Sequence, residues 1–197
     1  MEAFWVSLGI VFLAELGDKT QLVALLLATR FRVGVVLAGI FFATLAVHAF
    51  SVALGGATSQ FLPRSWIYLL SGLAFIGFGW WTWRGDTLGD EEDSLNRRGG
   101  SPFVIVFITF FLAELGDKTM LSTVTLAASR DLAPVWLGST LGMVLSDGLA
   151  IWVGHILGKR LPERAIKVGA AFIFVVFGLW YTAYGAFDLW QIYGQGV

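Results

Sequence analysis

A nine-residue motif, Phe-Leu-Ala-Glu-Leu-Gly-Asp-Lys-Thr, occurs twice in the chain, at residues 12–20 and 111–119. Each copy holds two carboxylates and one ammonium group in the middle of an apolar segment. A charged side chain deep in a membrane costs at least about 2.5 to 3.5 kcal/mol, so groups kept there are typical of ion or proton sites. The motif therefore predicts an oxygen-rich site in apolar surroundings.

Five acidic residues are the candidate metal ligands. They are Glu15, Asp18, Glu114, Asp117 and Asp147. On a continuous helix, the spacing places the glutamate, aspartate and lysine of each motif on one face. Four motif carboxylates and two lysines sum to a formal charge of −2, which one divalent cation neutralises. Oxygen ligands suit Mn²⁺, Ca²⁺ or Mg²⁺ and do not suit copper.

The remaining motif residues have two interpretations each. Lys19 and Lys118 are predicted to be counter-charges that release a carboxylate when metal arrives, or else members of fixed ion pairs. Thr20 and Thr119 are further ligands, or they bond back to the preceding turn. The glycine before each aspartate permits local unwinding or close approach of another helix.

A second pair of ionisable residues lies outside the motif. A shift of 99 residues aligns His48 with Asp147, so both second spans carry such a group at one position. We predict that Asp147 is a ligand or a proton relay. His48 is a supporting ligand, or a histidine with a structural hydrogen bond.

The composition predicts an integral membrane protein. Hydrophobic residues make up 57% of the 197 residues and charged residues 14%, whereas soluble domains carry about 25% charged residues. Apolar segments of this length predict membrane-spanning helices. They cover residues 4–28, 33–57, 66–83, 103–129, 132–157 and 165–187. A net charge of −1 argues against a nucleic-acid partner, and the absence of cysteine excludes disulfides and thiolate metal sites.

The chain is an internal duplication. The 99-residue shift aligns residues 4–84 with 103–183 without a gap, and 23 of the 81 positions are identical. Because each unit holds three spans, the second enters the membrane from the opposite face, as in many secondary transporters. We therefore expect an all-α membrane protein of six transmembrane helices, arranged as two inverted three-helix repeats. The repeats are residues 1–84 and 102–197, joined by a hydrophilic cytoplasmic linker at 85–101.

The basic residues predict an orientation. Nine lysines and arginines fall in loops on one side of the six spans and two on the other, so the first side is cytoplasmic and both termini lie outside. The first apolar run has no basic leader region or small-residue cleavage site and is expected to be a retained span. A multi-pass protein of the cell's inner (plasma) membrane is the predicted location.

Carboxylates in this setting suggest a coupling mechanism. Burial and like-charge neighbours favour protonated carboxylates in an empty site, and a bound divalent cation expels the protons. Metal and protons then compete for one site. The sequence thus predicts a cation/proton antiporter whose partners are divalent cations, protons and the lipid bilayer, with a homo-oligomer as an open alternative.

Two copies of Glu-Leu-Gly-Asp-Lys-Thr, each opening a three-span half, resemble the signature of the Gdt-type cation/proton exchanger family. That family includes Golgi and chloroplast transporters and bacterial manganese exporters of the MneA type. The resemblance covers essentially the whole chain and implies that both motifs form the cation site. It implies Mn²⁺ as the transported substrate, with Ca²⁺ as the alternative, and export from the cytoplasm in exchange for protons.

Three other functions compete with this one. An intramembrane aspartyl protease is disfavoured because the sequence has Leu-Gly-Asp instead of Gly-x-Gly-Asp, so we expect no catalytic residues and no cofactor. A small-solute exporter is the second. The third is a non-transporting membrane assembly protein in which the acids form structural salt bridges.

Overall fold

The computed structural model describes residues 1–84, 100–157 and 163–193, and these residues are entirely helical apart from short turns. They form eight α-helices. In chain order these are α1 (Glu2–Glu15), α2 (Lys19–Arg30), α3 (Val33–Phe61), α4 (Arg64–Arg84), α5 (Pro102–Glu114), α6 (Lys118–Ser129), α7 (Leu132–Leu157) and α8 (Glu163–Tyr193).

Two of the predicted continuous helices are broken. Segment 4–28 consists of α1 and α2, and segment 103–129 consists of α5 and α6. Gly17 and Gly116 have φ angles of 75° and 82°, a left-handed conformation that residues with a side chain rarely adopt. The sequence indicated that these glycines permit local unwinding; the structure has a full break, in which the chain turns at the glycine and the following aspartate caps the second half-helix.

The other four apolar segments are single helices, α3, α4, α7 and α8. Within the described residues, three stretches are long and apolar enough to cross a membrane by themselves: Val33–Phe61, Leu132–Gly154 and Val168–Tyr193. Helix α5 is equally apolar but shorter, because the break at the motif ends it.

Helix packing follows the duplication. Helix α4 packs along α8. Helix α1 packs against α7 as its equivalent α5 packs against α3, and α2 packs against α7 as its equivalent α6 packs against α3. A Cβ built on Gly55 of α3 would lie 2.4 Å from the Val124 carbonyl oxygen, and one built on Gly154 of α7 would lie 2.4 Å from the Leu25 side chain. The 99-residue shift relates Gly55 to Gly154 and Leu25 to Val124, so the same contact occurs twice, once with the glycine in the first half and once with the glycine in the second.

Helices α4 and α8 also make a close backbone contact. A Cβ on Gly72 would lie 2.4 Å from the Thr182 backbone nitrogen, and one on Gly178 would lie 2.7 Å from the Gly72 carbonyl oxygen. Without side chains at these positions the two backbones touch, which is a packing mode typical of helices in membranes.

The distribution of polar and apolar side chains is the reverse of that in a soluble domain. Large apolar side chains such as Trp5, Phe172 and Trp180 are more than 60% exposed, while the interior holds carboxylates, hydroxyls and an ammonium group. An apolar surface of this extent marks a face that meets lipid or protein. The fold is that of a membrane protein built around a polar centre.

Some predicted features fall outside the described residues. They include most of the hydrophilic linker and part of the predicted cytoplasmic basic set, namely Arg97, Arg98, Lys159 and Arg160.

Candidate functional site

The two helix breaks build the centre of the site. Asp18 is the N-cap of α2, where its side chain accepts a hydrogen bond of 2.7 Å from the Lys19 backbone nitrogen. Asp117 caps α6 in the same way and accepts a bond of 3.4 Å from the Thr119 nitrogen. Each aspartate thus lies at the positive end of a helix dipole. The expectation that glutamate, aspartate and lysine share one helical face was wrong, because the helix ends between them.

The motif glutamates are the last residues of α1 and α5 and are completely buried. Each accepts a hydrogen bond from the threonine of its own motif: Thr20 donates to Glu15, and Thr119 donates to Glu114 over 2.6 Å. The threonine hydroxyls therefore contact the glutamates instead of the preceding turn. The other oxygens, Glu15 Oε2 and Glu114 Oε1, are buried without a hydrogen-bond partner.

An ion pair joins the two motifs. Lys118 Nζ lies 2.7 Å from Asp18 Oδ2, and both side chains are almost fully buried. Lys19 of the first motif is half-buried and acts electrostatically on Asp117 of the second. The structure therefore brings the two repeats together at their motifs, and each lysine faces the acidic residue of the other half.

Asp147 and His48 are two further buried ionisable residues. Both are fully inaccessible to solvent. The two carboxylate oxygens of Asp147 and the two ring nitrogens of His48 have no hydrogen-bond partner. Asp147 lies within electrostatic range of Glu15, Glu114 and Asp18. Across the described part of the chain, no three histidine, aspartate or glutamate side chains are close enough to form a ready metal cage. The acids are gathered but do not form a closed ligand shell.

Gln21 is a site residue that the sequence analysis missed. Its Oε1 accepts a hydrogen bond of 2.7 Å from the Gly17 nitrogen at the break. Its Nε2 donates to the Ser146 carbonyl and hydroxyl oxygens, at 3.1 and 2.8 Å, next to Asp147. Met120 is the equivalent in the second repeat and accepts from Gly116 N through its sulfur, at 3.1 Å. The sequence signal that could have identified Gln21 is its position as a polar residue directly after the first motif.

This arrangement is short of positive charge. Five carboxylates and two ammonium groups sum to a formal charge of −3. Five carboxylate oxygens among them are buried without a hydrogen bond, and one of the five, Asp18 Oδ2, lies in the ion pair with Lys118. Buried carboxylates are stable only when they are paired, protonated or bound to a cation. The site can therefore hold protons or a divalent cation, and its open oxygens are of the kind that Mn²⁺ and Ca²⁺ prefer.

Comparison with known proteins agrees with this chemistry. The family model described as divalent cation/proton antiporter GDT1 matches residues 3–90 and 102–188. A Vibrio cholerae serotype O1 protein with the provisional name of manganese exporter is 39% identical over 185 residues, which cover 91% of this chain and 90% of that protein.

Plant proteins match along the same length. GDT1-like protein 5 of Arabidopsis thaliana is 28% identical over 91% of this chain and 94% of its own. GDT1-like protein 5 of Oryza sativa subsp. japonica is 28% identical over 89% of this chain and 92% of its own. No solved structure matches the chain significantly. The family model covers both repeats, so the chain belongs to the GDT1 family of divalent cation/proton antiporters and is a membrane cation transporter, not an enzyme.

Proposed function

We propose that the protein exports Mn²⁺ from the cytoplasm in exchange for protons, through a single region formed by both motifs. The observation that carries this proposal is the set of open carboxylate oxygens on Glu15, Glu114 and Asp147, buried around the Asp18–Lys118 ion pair. A cation that enters this region can bind to carboxylate oxygens that accept no hydrogen bond from the protein. Asp117 completes the ligand set from the cap of α6.

Protons and the cation compete in this mechanism. In the empty state, the buried carboxylates hold protons, because burial and like-charged neighbours disfavour several carboxylates ionised together. Binding of a divalent cation expels those protons. If the transporter reorients only when its site is filled by one or the other, each cation that moves outward is exchanged for protons that move inward.

The lysines adjust the charge of the site. When the cation approaches, Lys118 releases Asp18 as a ligand, and the pair re-forms when the cation leaves. The threonines hold Glu15 and Glu114 in place by their hydroxyl hydrogen bonds. His48 supplies a supporting nitrogen from the second span.

The proposed substrate rests on two observations, the oxygen ligands of the site and the name of a similar protein. Carboxylate, hydroxyl and carbonyl oxygens suit Mn²⁺ and Ca²⁺ alike. The Vibrio cholerae relative is provisionally named a manganese exporter, which favours Mn²⁺ over Ca²⁺ here. Export from the cytoplasm places the protein in the plasma membrane, the inner membrane of the cell.

For the topology, we propose six crossings in two inverted repeats. The pairs α1–α2 and α5–α6 each make one crossing that is interrupted at the motif, as in other transporters whose broken helices meet an ion at the midplane. The reciprocal packing of Gly55 on Val124 and Gly154 on Leu25 supports this pseudo-two-fold arrangement. Repeats 1–84 and 102–197 are then joined by a cytoplasmic linker at 85–101, and both termini lie outside.

A flux assay with purified protein in lipid vesicles tests the proposal. Mn²⁺, Ca²⁺ and Mg²⁺ are offered in turn, while a dye inside the vesicles records pH. Wild-type protein should take up Mn²⁺ and move protons in the opposite direction, and Glu15→Gln or Asp117→Asn should reduce both fluxes to background. Glu2→Gln is the matched control, since Glu2 is an exposed carboxylate on the same helix as Glu15 and its loss should leave both fluxes unchanged.

The result that contradicts the site is normal Mn²⁺ flux in both variants. The result that contradicts antiport is Mn²⁺ flux that moves no protons and does not depend on pH.

The buried Asp18–Lys118 pair also fits a second function, in which the acids are structural and the protein transports no metal. In that case no divalent cation should cross vesicles containing wild-type protein. The neutral variants would then differ from wild type only in stability.

A further inference from the structure

One buried side chain joins the first motif to the helix that carries Asp147. Gln21 of α2 accepts a hydrogen bond of 2.7 Å from the Gly17 nitrogen at the helix break. Its amide nitrogen donates to the carbonyl and hydroxyl oxygens of Ser146 in α7, at 3.1 and 2.8 Å. That carbonyl belongs to the peptide bond between Ser146 and Asp147. The amide of Gln21 therefore links the break directly to the backbone of Asp147.

The packing of α1 on α7 places Asp147 level with Glu15. A Cβ built on Gly142 would lie 2.5 Å from the Leu8 carbonyl oxygen and 3.1 Å from the Phe12 nitrogen, so Gly142 faces the middle of that turn. The two helices are parallel, because an equivalent contact lies one turn earlier on both. Five residues further along each helix, Asp147 lies opposite Glu15. The two carboxylates also act on each other electrostatically.

The equivalent residues of the second repeat cannot form this link. Met120 takes the place of Gln21, and its sulfur accepts from the Gly116 nitrogen at 3.1 Å. A thioether has no hydrogen to donate, so Met120 can hold its own break but cannot donate to α3 as Gln21 does to α7. His48 takes the place of Asp147 there. The second helix of each repeat thus supplies a different group, an imidazole in one case and a carboxylate in the other.

Carboxylates are therefore divided unequally between the two breaks. Glu15, Asp18 and Asp147 belong to the first, and the three act on one another electrostatically. Glu114 and Asp117 belong to the second. The affinity of an oxygen site for a divalent cation rises with the charge of its ligands and depends on its rigidity. The first break has both the larger charge and the side chain that fixes one of its ligands.

We propose that Gln21 is a positioning residue that holds Asp147 at the first break, and that the transported cation binds mainly to Glu15, Asp18 and Asp147. This inference rests on the proposed function, because it divides the region formed by both motifs into a principal end and a supporting end. Glu114 and Asp117 complete the ligand set from the second break. The proposal adds a residue outside the motifs and an order among the ligands.

Mn²⁺ binding to purified protein in detergent tests the role of Gln21. The electron paramagnetic resonance signal of free Mn²⁺ gives the Kd. Gln21→Leu removes the donor and the acceptor together and should raise the Kd by about 10-fold to 100-fold, which is the usual effect of losing a group that orients a metal ligand.

Met120→Leu is the matched control, because it creates the same side chain at the equivalent position of the second repeat. It should leave the Kd close to the wild-type value. Equal weakening by the two variants, or no weakening by Gln21→Leu, would overturn the proposal.

A smaller change tests the link to α7 if Gln21→Leu folds poorly. Ser146→Ala removes the hydroxyl acceptor and keeps the carbonyl acceptor, so it should weaken Mn²⁺ binding in the same direction and by less. Because Ser146 acts through Gln21, adding Ser146→Ala to Gln21→Leu should raise the Kd no further. Fully additive effects would show that the two residues act independently and would overturn the positioning role.

Thermal unfolding distinguishes positioning from a purely structural role. A structural role would lower the unfolding temperature of Gln21→Leu equally with and without Mn²⁺. Positioning predicts that the rise in unfolding temperature caused by Mn²⁺ becomes smaller, because weaker binding stabilises the folded state less. In vesicles, the Mn²⁺ concentration for half-maximal flux should rise more than the maximal rate falls. An unchanged Mn²⁺-induced rise would overturn the proposal.

Binding does not require transport, so the two proposals can fail separately. Weak Mn²⁺ binding by Gln21→Leu, together with no Mn²⁺ flux in wild-type protein, would support the positioning role and contradict the proposed function. Normal flux in wild-type protein, together with wild-type Mn²⁺ affinity in Gln21→Leu, would contradict this inference alone.

Discussion

Each motif glutamate keeps one carboxylate oxygen in a hydrogen bond and leaves the other open. Thr119 donates to Glu114 Oε2, while Oε1 has no hydrogen-bond partner. The hydroxyl holds one oxygen of the carboxylate and leaves the other free for the cation or proton of the proposed mechanism. At this scale the motif is a glutamate held by a threonine five residues later.

Removing that hydroxyl should loosen the site. Thr119→Val keeps the shape of the side chain but leaves both oxygens of Glu114 without a partner, which should lower the free energy of unfolding by about 1–3 kcal/mol. The Mn²⁺ dependence of thermal unfolding in detergent measures both stability and affinity. Thr125→Val is the control, because its hydroxyl only bonds back to the Leu121 carbonyl, and it should change neither. Equal effects of the two variants would contradict the role of Thr119.

The sequence identified the acidic residues but not their partners. Lys118 pairs with Asp18 of the other repeat, and the identity of that partner depends on how the two halves interlock, which spacing within one motif does not specify. Gln21 was missed for the same reason, since its partner Ser146 is 125 positions away.

The ion pair between the repeats gives a stability prediction. Lys118→Met leaves Asp18 buried without its counter-charge and should destabilise the protein by about 3–5 kcal/mol. Adding Asp18→Asn removes that charge and should recover part of the loss. Chemical unfolding of both single variants and the double variant measures this coupling, and strictly additive effects would contradict a direct pair.

At the scale of the helices, the break at each motif is what the sequence predicted least well. Hydropathy describes segment 4–28 as one apolar run, and the glycine before Asp18 indicated only that unwinding was permitted. The structure has a full interruption, with Gly17 in the left-handed region and Asp18 capping a new helix. Hydropathy does not report backbone conformation, so a break made by one residue does not change the predicted span.

The break can be tested by restoring a side chain at its glycine. A Cβ on Gly116 would meet no atom within 4 Å, so the cost of Gly116→Ala lies in its φ of 82° and should be about 1–2 kcal/mol of stability, with a large loss of Mn²⁺ flux. Gly9→Ala in α1, where a Cβ is equally free of contacts, should be neutral or stabilising. Gly116→Asn should be milder than Gly116→Ala, because asparagine tolerates this conformation better. Full activity of Gly116→Ala would contradict the requirement for a break.

At the scale of the whole molecule, the duplication organises the packing. Matching positions meet across the two halves, as Thr44 does with Met143, its own 99-residue equivalent, over 3.2 Å. The internal repeat predicted that contacts would recur in pairs. It could not predict which helices pack, since the choice of α4 with α8 depends on the backbone contact at Gly72 and Gly178.

Six crossings make a prediction about sidedness. A cysteine in place of Leu62, in the turn between α3 and α4, and a cysteine in place of Ser94, in the linker, should be labelled from opposite sides of the membrane. Impermeant thiol reagents applied to intact cells should reach Leu62→Cys and not Ser94→Cys. Labelling of both positions from outside would contradict the six-span topology.

The central claim is that metal and protons exchange at the site made by the two motifs. The most direct measurement is Mn²⁺ uptake into vesicles that carry wild-type protein and start with equal Mn²⁺ on both sides, after a pH gradient with an acidic interior is imposed. Exchange predicts that Mn²⁺ accumulates inside against its own gradient as protons leave, and that Glu15→Gln abolishes this accumulation while Glu2→Gln preserves it. Mn²⁺ that stays at equal concentration on both sides, whatever the pH gradient, would contradict the account.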